Sequence, residues 1–383
     1  MQSELEKTES IYSGAMMRKK VFNKITDKFK PCFHFKKFLL FIITFILFAS
    51  AASADDLTDG ITAYNKLDYK NAISKLKPLA EQNHPIAQYY LARYYFDGWS
   101  KDERKAQELF TKSAKTLSEM ANKNDVQAQF ILGNLYANGW GVRQNKSEAA
   151  KWYRKSADQG NADAANSLGN FYLNGSGVAK DKMEAVRWYR KAAEKDNAAA
   201  ENNLGNCYFY GTGVAKNEEE AVAWWIKAAS RGDASAQYNL GMAFLAKKGV
   251  AKEIQKFNES YNNLKPSDRA ITVKDGETNL FLGFRWLEDA ASQGHADAQN
   301  QLGEMFWRGM WIKQNESYAV EWYRKAAEQG NAKAQNNLAY SYQTGIGIPR
   351  NTDAAIKWYK KSAASPDIEA RNYAKKQLKK LGK

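Results

Sequence analysis

Six tryptophans set the fold. Trp152, Trp188, Trp224, Trp286, Trp322 and Trp358 are separated by 36, 36, 62, 36 and 36 residues. Leu132, Leu168, Leu204, Leu240, Leu302 and Leu338 repeat the same intervals. The long interval is one period plus a 26-residue insertion. Self-similarity at such a period is the signature of stacked supersecondary units. A looser first copy carries Leu91, Ala92, Tyr95 and Gly98, with Phe110 where tryptophan stands elsewhere.

Each copy reads as two helices. In 161–196, Ala164, Leu168, Phe171 and Tyr172 fall on one face at helical spacing. Gly175 and Gly177 end that helix, and Asp181 three residues before Glu184 starts the next. Asn145, Asn217, Asn315 and Asn351 hold the equivalent starting place. The second helix is expected to bury Ala185, Trp188, Tyr189 and Ala192. All six repeat tryptophans are read as core. A helix pair of this kind cannot bury its apolar face alone, whereas stacked pairs can. The expected fold is therefore all-α, an α-solenoid of helix-turn-helix repeats.

The divisions follow. Residues 1–54 read as a signal peptide, cleaved or kept as an anchor, with Met1, Met16 or Met17 as start. A basic stretch precedes the apolar run 38–52, and Ala52-Ser53-Ala54 gives an A-x-A cleavage pattern. Residues 55–83 form a helix pair. Seven repeats follow, at 84–124, 125–160, 161–196, 197–232, 233–294, 295–330 and 331–366. The fifth holds the insertion, about 251–277, read as a surface excursion or a partner contact. Residues 367–383 are a basic capping helix.

Composition narrows the chemistry. The leader holds nine Lys/Arg against four Asp/Glu, so its +5 leaves +10 of the chain's +15. A solvated helical surface accounts for that excess, and no nucleic acid partner is expected. Past the leader the chain keeps Cys207, His84 and His295 alone of their kinds. That excludes an intramolecular disulfide and leaves no His/Cys metal set. The glycine loops lack P-loop spacing. His84 and His295 align with Asn161 and Asn331 at first-helix starts, so turn or cap roles are expected. Cys207 aligns with Phe171 and is expected to be buried. No catalytic residue, cofactor or metal is assigned, and no enzymatic activity is expected.

The asparagines are the candidate contacts. Asn166, Asn202, Asn300 and Asn336 stand two residues before the repeat leucine, and Asn203, Asn239 and Asn337 one before. Asn170 and Asn206 follow its glycine. Amides in a row can bind an extended peptide backbone or join repeat to repeat.

The pattern L-G-x-x-Y-x-x-G-x-G-V followed by A-x-x-W-Y-x-K-A-A-x-x-G resembles the Sel-1-like repeat family, relatives of the tetratricopeptide repeat. Gly309-Met310-Trp311 departs from it in lacking the second loop glycine. The resemblance implies a right-handed superhelix with first helices lining the concave side. It implies an exported, bacterial, periplasmic or secreted adaptor that holds a protein or peptide partner there, such as a toxin, an effector or an envelope regulator. Membrane contact would arise only through an uncleaved leader. The alternatives are an immunity protein against a delivered toxin, or a hydrolase like the family's cysteine-rich β-lactamase-like branch, whose cysteines this chain lacks.

Overall fold

The computed structural model describes residues 55–97, 101–263 and 276–383. The signal-peptide reading of 1–54 lies outside the described residues. Among them are eighteen helices and no strand. None of these helices is long and apolar enough to cross a membrane.

The chain divides into two compact units. The first comprises the described residues up to Glu119 together with Trp140–Val142. It holds α1 (55–65), α2 (Tyr69–Glu81), α3 (Pro85–Asp97) and most of α4 (Glu103–Asn122). Leu76, Tyr89, Phe110 and Leu117 form its core. Phe110 lies flat on Trp140, with ring centroids 4.9 Å apart. Phe110 thus does a core aromatic's work in the copy that lacks the tryptophan.

The second unit is an α-solenoid. Its first helices are α5 (Val126–Asn138), α7 (Ala162–Asn174), α9 (Ala198–Tyr210), α11 (Ala234–Ala246), α14 (Ala296–Arg308) and α16 (Ala332–Thr344). They alternate with second helices α6 (Lys146–Asp158), α8 (Lys182–Ala193), α10 (Glu218–Ser230), α13 (Thr278–Ser292), α15 (Glu316–Glu328) and α17 (Thr352–Ala363). Helix α18 (Ile368–Lys380) follows α17. An additional helix, α12 (Ala251–Asn263), opens the insertion. It packs Phe257 on Phe281 of α13 at 5.3 Å, and Asn258 accepts a 2.6 Å bond from Thr278. That helix went unread in the sequence. Residues 264–275 of the insertion lie outside the described residues.

Capping explains the regular helix starts. Asp125, Asn161, Asn197, Asp233, Asn331 and Asp367 each accept from a backbone amide three residues on. His84 and His295 do the same through Nδ1, at 3.4 and 3.2 Å. Burial holds both imidazoles below their ordinary value; Asp297 and Asp233 partly oppose this at His295. Only the neutral ring has a lone pair for the amide. The contribution is complete above the ordinary value of 6.5 and is lost as pH falls through the lower folded value. His295→Asn, which restores the cap used elsewhere, is expected to reduce the stability lost between pH 7 and pH 5. Urea unfolding at the two pH values, compared with the unaltered chain, checks this.

The tryptophan reading needs correction. Trp152, Trp188 and Trp322 are buried, but Trp224, Trp286 and Trp358 are only half-buried. The deeper core residue is the next one: Tyr153, Tyr189, Trp225, Leu287, Tyr323 and Tyr359 are all buried. Most of these side chains pass over the glycine of the facing first helix, as Tyr189 does at Gly169. The tryptophans sit nearer the surface. Lys155, Lys191, Lys227, Lys325 and Lys361 each place an ammonium 4.0–4.1 Å from the ring three residues before. In the fifth copy Asp289 takes that lysine's place.

Candidate partner-binding face

The first helices lie side by side, and their asparagines join them. Asn203 donates to Asn166 at 2.9 Å. Asn239 donates to Asn202 at 2.9 Å and to Asn206 at 3.1 Å. Asn337 donates to Asn300 at 3.0 Å. Asn170 accepts from the Tyr189 hydroxyl, and Asn336 donates to the Ala370 carbonyl. Asn202, Asn300 and Asn336 are buried and the other six half-buried. All nine candidates therefore spend amide groups inside the solenoid. Their bonds join α7 to α9, α9 to α11, α14 to α16 and α16 to α18.

A second ladder runs at the helix ends. Gln129, Gln237, Gln299 and Gln335 each donate to the carbonyl eight residues earlier, near the end of the preceding second helix. Gln159, Gln293 and Gln329 donate in turn to Gln129, Gln237 and Gln299. In the copy 197–232, Glu201 and Arg231 occupy these two places. The Arg231 guanidinium contacts Glu201 at 3.2 Å and also pairs with Asp196. Burial pushes the Glu201 carboxyl above its ordinary value, and Arg231 pulls it partly back. Arg231→Gln alone should cost about 2 kcal/mol, because a neutral amide replaces the charged partner of the buried Glu201 carboxylate. Adding Glu201→Gln restores the amide pair found in three other copies. A urea double-mutant cycle is expected to return about 1–2 kcal/mol of coupling.

Beyond the ladders, α14, α16 and α18 enclose a recess of about 200 Å³. Trp307, Tyr340 and Tyr373 are its aromatic walls, with Glu304, Tyr323 and Asn337 also lining it. Trp307 meets Tyr340 edge-on, with centroids 6.2 Å apart and planes at 70°. A space of about 310 Å³ shares Glu304, Asn337 and Tyr373 and reaches Asn336, Lys333 and Glu369. None of the aromatic walls was singled out in the sequence. The signal for them is departure from the repeat. Glu304 and Tyr340 replace the asparagine of Asn134, Asn170 and Asn206, and Tyr373 replaces the ladder asparagine.

Reactive groups elsewhere are masked. Cys207 is buried, which pushes its thiol up to about 11. Among the described residues no group of His, Cys, Asp or Glu could hold a metal ion.

Comparison with known proteins identifies the repeat. The model of a family described as Sel1 repeat matches residues 85–115, 126–161, 162–197, 198–233, 234–256, 274–295, 296–331 and 332–367. A Sel1 repeat protein from Oxalobacter formigenes is similar in structure, with 26% identity, 86% of each chain covered and a TM-score of 0.55. A protective antigen of uropathogenic Escherichia coli with an SLR fold is 31% identical over 83% of this chain, with a TM-score of 0.48. The present chain spans 62% of that protein's length. An immunity protein from Pseudomonas aeruginosa matches at 21% identity over 66% of this chain and 80% of its own, with a TM-score of 0.38. No curated protein matches.

Proposed function

The chain belongs to the Sel1 repeat family, and on that premise we propose that it is an exported, non-catalytic scaffold whose first-helix face holds a protein segment. Proteins of this family generally mediate protein–protein interaction. The observation that carries the reading is the asparagine row, whose bonds tie α7 to α9, α9 to α11 and α14 to α16 across the first-helix face. A partner laid across such a surface meets groups that are already ordered. Little conformational entropy is then lost on binding.

Tyr210 and Tyr340 are exposed on first helices, and Met183 is exposed on a second helix. A photo-crosslinking residue at Tyr210 or Tyr340 is expected to capture a specific protein from an envelope extract. The same residue at Met183 is expected to capture none. Capture from Met183 alone would place the partner on the other face and end this reading. The leader's basic, apolar and A-x-A order supports export to the periplasm or beyond. An alkaline phosphatase fusion after residue 54 should be active if export occurs and inactive otherwise.

A further inference from the structure

The asparagine bonds take a different form at α14. Asn337 donates to Asn300, and Asn300 donates in turn to Glu304 Oε1 at 3.2 Å. The row of amides thus ends on a carboxylate and orients it. Arg308 approaches Glu304 Oε2 only to 3.8 Å, beyond hydrogen-bond distance. Oε2 therefore remains available at the edge of the aromatic recess.

One repeat further on, Tyr373 stands where Asn203, Asn239 and Asn337 stand in their copies. This exchange has two consequences. The buried Asn336 Oδ1 receives no hydrogen bond, unlike Asn166, Asn202 and Asn300. And the recess gains a third aromatic wall beside Trp307 and Tyr340. No other copy combines these groups. Position 304 is Arg93, Asn134, Asn170, Asn206, Met242 or Tyr340 elsewhere, and position 307 is Phe96, Ala137, Leu173, Phe209, Leu245 or Gln343.

Aromatic faces attract cations through their quadrupoles, and a carboxylate with a free oxygen adds a charge-assisted hydrogen bond. We propose that this recess takes a cationic side chain, arginine or lysine, from the partner segment. The proposal rests on the reading of the first-helix face as a protein-binding surface and names the chemistry of the residue it reads. Arg308 is the resident cation; it is largely exposed and can swing away when the guest arrives.

The test uses the full chain and two acetylated, amidated Gly/Ser octapeptides, one with central Arg-Arg and one with central Glu-Glu. Binding is read from the Trp307 indole NMR resonance. The arginine peptide is expected to shift it and to bind at least about tenfold more tightly than the glutamate peptide. Tyr340→Leu and Glu304→Gln should each weaken the arginine peptide about fivefold or more, with helicity and unfolding midpoint unchanged. Tyr340 is exposed, so its replacement leaves folding intact. Equal binding of both peptides, no shift at Trp307, or full affinity in the two variants would overturn the proposal. If a partner crosslinks at Tyr210 and Tyr340 while the arginine peptide fails, the scaffold stands and the cation recess falls. If the peptide binds as described and no partner crosslinks, the recess stands and the scaffold reading falls.

Discussion

Replacing Tyr189 by alanine is expected to cost about 4 kcal/mol, roughly twice the cost of Trp224→Ala. Tyr189 is fully buried, lies across Gly169 and donates its hydroxyl to Asn170 at 2.7 Å. Its removal leaves a cavity in the continuous core of α7, α8 and α9. The phenol also holds one asparagine of the face. Tyr189→Phe keeps the packing and loses that bond, so about 1 kcal/mol is expected. Trp224 is half-buried between Lys227 and its neighbours, and much of its indole stays near water. Truncation there removes less contact. Urea denaturation of the three variants gives the order directly. Because each repeat rests on its neighbours, the loss at Tyr189 should spread beyond its own copy.

Gly213→Ala should be almost as damaging, at about 3 kcal/mol. Gly213 has a φ of +73°, and a Cβ there would run into the Lys182 carbonyl of the preceding repeat. Both strain and overlap oppose the substitution. Gly232 supplies the control. Its φ is +89°, but nothing lies within 4 Å of an added Cβ. Gly232→Ala should therefore cost about 1 kcal/mol from backbone strain alone. The difference measures how closely consecutive repeats approach at the loop. Gly177, Gly249 and Gly347 make the same approach to Lys146, Glu218 and Glu316. Trp311 is the exception. It takes a positive φ and covers Phe281 and Phe284 instead. There the insertion has altered the preceding repeat, and α13 starts without a side-chain cap.

The repeat made the fold legible from the sequence. Helix pairs, caps and turn glycines recur at fixed offsets, and each has a local physical cause. The tryptophans misled because recurrence marks a shared role without saying how deep the residue lies. Depth depends on which side chain crosses the facing glycine, and that is a tertiary fact. The asparagines were legible as a row, but their bonds run between residues 33–37 apart and needed the stacking. The recess was hidden for the opposite reason. Glu304, Trp307, Tyr340 and Tyr373 come from three helices, and of the four only Glu304 and Tyr340 lie one period apart. They stand out only as places where the repeat breaks its own rule. The insertion helix was missed because it has no counterpart in the other copies, so the period carried no signal for it.

The central claim is that the first helices hold a protein segment. Hydrogen exchange on the full chain, free and with its crosslinked partner, tests it most directly. Protection is expected to rise along α14, α16 and α18 while α15 and α17 stay unchanged. Protection confined to α15 and α17, or absent from the first helices, would contradict it.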